Sequence, residues 1–207
     1  MKLNTMDHRI RNIHLELDRP DLENLPAAAL PDGYRFVFYQ PGDETHWIAI
    51  ERAAGEFDSD EKGWTKWNHY FAPYADELPH RMVFIENAEG RKVATASAHF
   101  DVRGIDDRSV GYLHWVAVHP DEQGRGLSRP LVYHVLTLLK GMGHTYTKIL
   151  TQTCSWVAVR LYLSFGFRPE KQNAADAYDG WRIVRTLTDA PALAEYPPVP
   201  FDDCLVK

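Results

Sequence analysis

Hydrophobic and polar positions alternate with a period of two in several short stretches of this 207-residue chain, and other stretches are short apolar or aromatic runs; both patterns are typical of buried strands. Bounded by glycine, proline and aspartate, these stretches predict strands at residues 34–39, 82–86, 93–100, 110–118, 147–153, 167–169 and 181–186. The turn between the third and fourth of them is predicted at 101–107.

Four other stretches repeat their apolar positions at helical spacing and predict helices at 43–57, 62–71, 127–140 and 157–165. In the third of these, Leu131, Val135 and Leu139 lie on one face. Strands that alternate with helices predict an α/β fold, with a mixed central sheet of six to seven strands flanked by helices.

The length and a hydrophobic content of 44% suit one domain with a substantial core. We place this domain at residues 34–188. The polar, proline-punctuated segment 1–33, which includes a short alternation at 13–17, is predicted to be an extension that wraps the domain. Residues 189–207 are predicted to be a loosely packed, proline-rich tail.

The most informative stretch is 116–128, VAVHPDEQGRGLS, in which an apolar strand leads through a glycine-rich turn into a helix. Gly124 and Gly126 permit positive φ angles and close approach of a ligand to the backbone. The peptide N–H groups of residues 123–128 are expected to converge at the positive end of the helix dipole. The turn therefore predicts a site for a phosphate or pyrophosphate.

Two common phosphate loops do not fit these residues. A nucleoside triphosphatase loop requires Gly-Lys-Ser/Thr, but Leu127 follows Gly126, which also argues against a phosphoryl-transfer enzyme. The dinucleotide fingerprint requires a third glycine where this chain has Arg129.

The turn does fit the pattern Gln/Arg-x-x-Gly-x-Gly/Ala, with Gln123, Gly124, Arg125, Gly126, Leu127 and Ser128. In this respect the chain resembles the GNAT superfamily of N-acetyltransferases, whose coenzyme A signature has this form. Ser128 replaces the usual Gly or Ala; it is small, and we expect its hydroxyl to cap the helix.

Residues 155–167, SWVAVRLYLSFGF, resemble the second motif of the family, an Asn-x-x-Ala-x-x-Leu-Tyr stretch that closes in Gly-Phe. Ser155 stands where the family has Asn, and Tyr162 matches its tyrosine. Taken alone, the same letters describe an amphipathic helix that Gly166 ends at its C′ position.

The resemblance implies acetyl-CoA as co-substrate and a sheet splayed between strands four and five, where the pantetheine arm lies. The coenzyme contacts expected from it are the backbone of Val116, Ala117 and Val118, the turn residues 123–128, and Ser155. Arg125 and Arg129 would supply positive charge to the pyrophosphate. Dimers are common in the family, so a homodimer is a further expectation.

The resemblance also implies roles in catalysis. His114 is the candidate base, since strand alternation places it on one face with Tyr112, Val116 and Val118, and arylalkylamine acetyltransferases carry a histidine in a similar Leu-His-x-x-Ala-Val-His run. The backbone N–H of Val116 is the candidate oxyanion donor. Tyr162 matches the general acid of the superfamily. The alternatives are a locally hydrogen-bonded histidine and a tyrosine packed against the core.

Charge and cysteine usage narrow the function classes. The net charge is −6 without a basic stripe, so nucleic acid is not an expected partner. The acidic run 56–61 is typical of a solvated surface loop; its alternative role is to favour a cationic acceptor such as an amine. Cys154 and Cys204 form no ligand-like pair, so no metal or disulfide is expected. Without an apolar run long enough for a membrane span or a signal peptide, a cytoplasmic protein is expected.

The acceptor is the least determined part of the reaction. A hydrophobic amine, a small polyamine, an amino acid and a protein amino terminus all fit the sequence. The resemblance makes Trp64, Trp67, Tyr70 and Glu56 candidate acceptor contacts, whereas the helical spacing of the aromatic ones favours a stripe that packs on the sheet. The alternative function is a non-catalytic acyl-CoA-binding or sensor module.

Overall fold

The structure, a computed structural model, describes residues 6–100, 108–170 and 175–206. The turn predicted at 101–107 therefore lies outside the described residues. Within them, contacts form two compact units, the first inside 21–147 and the second from 6–20 together with 148–206.

Strands and helices alternate along the described chain. In chain order the strands are β1 (His14–Arg19), β2 (Arg35–Phe38), β3 (Met82–Glu86), β4 (Lys92–His99), β5 (Gly111–Val118), β6 (Thr147–Gln152) and β7 (Arg168–Pro169). The helices are α1 (Glu44–Ala54), α2 (Asp60–Tyr70), α3 (Leu78–Arg81), α4 (Ser128–Gly141), α5 (Trp156–Ser164) and α6 (Ala175–Thr188). This confirms the predicted α/β fold class, with seven strands and flanking helices.

The first unit contains an antiparallel sheet in the order β2-β3-β4-β5. After its first residue, β4 is buried along its whole length, as expected for a central strand. On one face lies an aromatic cluster in which Trp47 of α1 contacts Trp67 of α2 and Trp115 of β5, at ring centroid distances of 5.5 and 5.2 Å. This packing holds α1 and α2 beside β5.

Local signals fix the ends of these helices. The carboxylate of Asp43, just before α1, accepts a hydrogen bond from the backbone N–H of Gln40 at 2.8 Å. Gly55 ends α1 with φ of +95°, the left-handed conformation that favours glycine. Ser59 caps α2 by accepting from the backbone N–H of Lys62. The predictions at 43–57 and 62–71 are therefore confirmed to within a few residues.

The second unit contains neighbouring strands in the order β6-β1-β7, with α5 and α6. Strands β1 and β7 are antiparallel, with Leu17 opposite Pro169. In a packed cluster of this unit, Cys154 and Cys204 are buried as free thiols together with Ile10 and Ile183.

The strand predicted at 181–186 is wrong, because these residues belong to helix α6. Ala177, Trp181 and Val184 are all buried, at spacings of a helical period, and Gly180 lies between them against Leu15 of β1. The buried Ile183 produced the apparent alternation, which extends over too few residues to separate a strand from a helix.

The described parts of the segments 1–33 and 189–207 are packed more closely than the sequence predicted. Within the predicted extension, His14–Arg19 forms β1, and Leu15 and Leu17 are completely buried. The prediction of a loosely packed tail is wrong, since Leu193 and Cys204 are buried and Leu205 forms an antiparallel bridge with Ile10. The alternation of apolar and polar residues at 13–17 was the sequence signal that could have predicted β1.

Candidate active site

The predicted site residues lie partly in the first unit and partly in the second. His114, the residues 116–118 and the turn 123–129 lie in the first unit. Ser155 and Tyr162 lie in the second unit, at the start of and within α5.

The predicted anion-binding turn has the required backbone. From the end of β5, a short 3₁₀ turn at Pro120–Glu122 leads into it, and α4 begins at Ser128. Gly124 and Gly126 both have φ of +80°, are exposed, and have no atom within 4 Å of the position a Cβ would take. Among the described residues, none accepts a hydrogen bond from the backbone N–H of Gly124, Gly126 or Ser128. These donors therefore face an open cradle at a helix N-terminus.

Two neighbouring residues hold the turn in place. The Gln123 side-chain amide donates to the backbone oxygen of Val118 at 3.1 Å and ties the turn to the end of β5. His119 Nδ1 accepts from the backbone N–H of Asp121, a local structural contact. The expected capping role of Ser128 is wrong, because the N-cap position of α4 is Leu127 and no side chain caps it. Because no side chain caps the start of α4, its backbone N–H groups stay available to a ligand.

Arg125, predicted to meet the pyrophosphate, belongs to an ion-pair network. Its Nε lies 3.1 Å from Oε2 of Glu122, a carboxylate that also accepts from Tyr34 Oη at 2.7 Å and pairs with Arg91 at 3.1 Å. Burial favours the neutral acid, but these hydrogen bonds outweigh it and lower the pKa of Glu122. The network fixes the base of the turn and leaves Arg125 exposed, with part of its charge balanced by Glu122.

Strand β5 contains a β-bulge at Trp115, which has φ of +48°. His114 pairs with Ser97 of β4, whereas Ala117, three residues later, pairs with Thr95, two residues earlier. Because directly paired residues point to the same side of a sheet, His114 and Ala117 share a face, and Val118, opposite Ala94, lies on the other. The prediction that His114 shares a face with Val118 is therefore wrong.

His114 lies in an aromatic environment on that face. Its ring is stacked on that of His99 of β4, with centroids 5.2 Å apart and planes 10° apart. Tyr70 and Phe71 contact the same ring at 5.0 and 5.7 Å. Nδ1 of His114 is buried and has no hydrogen-bond partner among the described residues.

This environment determines the protonation state of His114. Burial, and secondarily the positive charge of His99 when that ring is protonated, lower the pKa of His114 well below its usual range. The ring is consequently neutral at pH 7, the form in which an imidazole nitrogen accepts a proton.

The two candidate residues of the second unit are both buried. Tyr162 lies inside α5 and is 5% exposed, and its ring contacts Phe167 edge-on. Gly166 follows α5 with φ of +84°, the C′ role that the sequence suggested. The hydroxyl of Ser155 accepts a hydrogen bond from the Gln152 amide at 3.0 Å.

The candidate acceptor contacts differ in their surroundings. Trp67 is 4% exposed and packs in the aromatic cluster, so its packing role is the one observed. Trp64 is 40% exposed on α2, and Tyr70 is partly buried beside His114. Burial raises the pKa of Glu56 to about 7.

Sequence reasoning missed His99, Phe71 and Glu122 as parts of this region. A histidine in a predicted strand of mostly small and apolar residues was the sequence signal that could have identified His99. No comparable signal marks Glu122, because its partners Tyr34 and Arg91 are distant in sequence.

The described residues contain no cluster of three or more histidine, cysteine, aspartate or glutamate side chains placed to hold a metal ion. No helix among them combines the length and apolar character that a bilayer crossing requires.

Comparison with known proteins places these features in context. The profile of the acetyltransferase (GNAT) family matches residues 47–167. Curated relatives include mycothiol acetyltransferases from Thermobispora bispora, 31% identical over 72% of this chain and 51% of that protein, and from Thermomonospora curvata, 28% identical over 77% and 52%. The chain thus spans about half the length of the curated relatives it matches.

Solved structures agree on the fold. A GCN5-related N-acetyltransferase from Sphaerobacter thermophilus superimposes with a TM-score of 0.61 and 21% identity, covering 78% of this chain and 49% of that one. An acetyltransferase of the GNAT family from Colwellia psychrerythraea gives 0.56 and 12% identity, over 76% and 52%.

Proposed function

Because the chain belongs to the acetyltransferase (GNAT) family, we propose that it transfers an acetyl group from acetyl-CoA to a primary amine. The amine attacks the thioester directly, through a tetrahedral intermediate. The observation that carries this proposal is the turn between β5 and α4, with its left-handed glycines and its backbone N–H groups open to a ligand.

The residues of this region fit a coenzyme with a pyrophosphate. The open space above Gly124 and Gly126 admits phosphate oxygens to the backbone, and the start of α4 favours negative charge. In the proposal, residues 123–128 and Arg129 hold the pyrophosphate, and the backbone of Val116, Ala117 and Val118 binds the pantetheine amides. Ser155, which already accepts from Gln152, is a further proposed contact.

Removing a proton from the acceptor is the main cost of the reaction. An amine with a pKa near 10.4 is held neutral at pH 7 at a cost of about 4.6 kcal/mol. His114 is too weak a base to take that proton from the free ammonium. It is neutral, however, and accepts a proton through water or after attack, when the nitrogen of the intermediate is much more acidic.

Two other groups complete the proposed mechanism. The backbone N–H of Val116, beside the bulge at Trp115, donates to the oxyanion that forms as the carbonyl is attacked. Tyr162 then protonates the leaving thiolate, because a phenol and a thiol have comparable pKa values. The proton given up by Tyr162 is restored from solvent.

The acceptor is proposed to be a cationic amine, in keeping with the exposed carboxylates of Asp58, Asp60 and Glu61 in the acidic run 56–61. The names of the curated relatives add mycothiol chemistry as a candidate acceptor class. We further propose a cytoplasmic location, because a reducing compartment keeps the thiols of coenzyme A and of the two free cysteines reduced.

The test is thiol release from acetyl-CoA with phenethylamine, spermidine, lysine, an alanine-terminated tripeptide and a mycothiol-type amine. We expect acceptor-dependent release with at least one of them, and a loss of about 10²- to 10⁴-fold in kcat for His114→Gln. The dissociation constant for coenzyme A, measured by calorimetry, is expected to stay within about twofold. Tight coenzyme binding without release for any amine would instead identify a non-catalytic acyl-CoA sensor.

A further inference from the structure

The stacked pair of His99 and His114 is built by strand register. His114 is paired with Ser97 and His99 with Tyr112, so the two histidines are diagonal neighbours on one face of β4 and β5. Their planes are nearly parallel, at 10°, with centroids 5.2 Å apart. His99 is 1% exposed, so it is a polar side chain enclosed in the core for which the mechanism above has no use.

Aromatic side chains enclose both rings. Phe71 contacts His114 at 5.7 Å and His99 at 5.6 Å, and therefore bridges the pair. Tyr70 is edge-on to His114, and Tyr74 is edge-on to His99. Rotation of either imidazole is restricted by these contacts, which fixes the direction of the unpartnered Nδ1 of His114.

The protonation states of the two histidines are also coupled. Burial is the larger cause that lowers the pKa of His114, and a proton on His99 repels one on His114. The other titratable or charged side chains on elements packed around this face are Glu51 of α1, Tyr70 of α2, Tyr74 and Glu77 of the 3₁₀ turn before α3, Arg81 of α3 and Arg108 before β5. Glu77 pairs with both Arg81, at 2.7 Å, and Arg108, at 2.9 Å, so it balances one of these two positive charges and leaves the other.

We propose that His99 is a positioning residue for His114. Its ring holds His114 in one orientation by stacking, and the pair holds no more than one proton, so that His114 stays a neutral acceptor in weak acid. The catalytic part of this inference rests on the proposed function; the coupling between the two rings does not.

Two variants separate stacking from charge. His99→Phe keeps a flat ring beside His114 and removes the titrating group, whereas His99→Gln also removes the stacked ring. The matched control is His134→Phe on α4, because His134 also stacks on an aromatic ring, Phe36, at 4.1 Å and 15°. Burial lowers the pKa of His134 as well. Circular dichroism and thermal unfolding establish that each variant folds.

The first readout needs no activity. The ring nitrogens of His114 are titrated by NMR in the full chain, with the resonances assigned from His114→Gln. In His99→Phe we expect the apparent pKa of His114 to rise, because the repelling neighbour is gone. An unchanged titration in His99→Phe, or an equal shift in His134→Phe, would overturn the coupling.

The second readout is the pH profile of kcat/KM with the best amine from the panel above. In His99→Phe we expect the acid limb to move to higher pH, so that the ratio of the value at pH 6 to that at pH 8 falls about twofold or more. His99→Gln should also lose about tenfold in kcat at the plateau, with the KM for acetyl-CoA unchanged. If both variants keep the wild-type profile and plateau, His99 does not position His114. If no amine is acetylated but the NMR shift is seen, the proposed function fails and the coupling stands.

Discussion

His114 and Ala117 lie on the same face of β5, although they are three residues apart. The bulge at Trp115 inserts one extra residue opposite β4, so that the alternation of the strand changes side between them. As a result, the candidate base His114 lies on the same face as Ala117, whereas in a regular strand the two would lie on opposite faces; the strand end beyond them leads to the proposed anion-binding turn. The backbone N–H of Val116, the proposed oxyanion donor, lies inside this irregularity.

The left-handed backbone of Trp115 predicts an unusual order of stability. Both Trp115→Gly and Trp115→Ala lose the ring contacts with Trp47 and Tyr70 and should be destabilised by about 3–5 kcal/mol. At φ of +48°, however, glycine avoids the cost that a Cβ carries, so Trp115→Gly should be more stable than Trp115→Ala by about 1 kcal/mol.

Urea unfolding of the two variants measures this difference. Leu113, in the regular part of β5 and 2% exposed, supplies the control. There the order should reverse, with Leu113→Gly less stable than Leu113→Ala. The same order at both positions would contradict a bulge at Trp115.

The turn glycines should be needed for coenzyme binding. Gly124→Ala and Gly126→Ala each force a Cβ into a left-handed conformation and into the open cradle, and we expect each to weaken coenzyme A binding about tenfold or more. Calorimetry measures the affinity. Gly141→Ala, at the end of α4 with open space around it, is the control and should bind normally with equal or higher stability. Normal binding in all three variants would exclude this turn as the coenzyme site.

Tyr162→Phe should reduce kcat about 10- to 100-fold, since water would replace the phenol as proton donor to the thiolate. The ring, which is buried in α5, is retained, so we expect little change in coenzyme affinity. Steady-state kinetics and calorimetry provide the comparison. Tyr178→Phe on α6, where the side chain is 50% exposed, is the control and should leave both unchanged. Parallel losses of turnover and affinity in Tyr162→Phe would indicate a packing role.

The carboxylates of Glu51 and Glu56 predict how stability depends on pH. Burial raises the pKa of Glu51 well above 4.5 and that of Glu56 to about 7. The folded protein therefore binds protons that the unfolded chain releases above about pH 4.5, and stability falls as the pH rises through 7.

Glu51→Gln should then be more stable than the wild type at pH 8 by about 1–3 kcal/mol, and close to it at pH 4.5. Urea unfolding at the two pH values tests this. Glu61→Gln, on the exposed side of α2, is the matched control and should change little at either pH. A pH-independent effect of Glu51→Gln would contradict a protonated, buried carboxyl group.

Features that depend on neighbours in sequence were predictable. The glycine spacing of the turn, the helix that begins at Ser128 and the left-handed Gly166 after α5 are set within a few residues, because backbone conformation and capping are local. The α/β class followed in the same way from the order of periodic stretches.

Features that depend on pairing between distant segments were decided only by the tertiary structure. The bulge at Trp115 exists only relative to the register of β4, and the stacking of His99 on His114 follows from that register. Residues 181–186 satisfied both periods over a short span, and packing of Trp181 and Val184 in α6 selected the helix. The conformation of the proposed coenzyme turn was thus determined by local chemistry, whereas long-range strand pairing determined where the candidate base points.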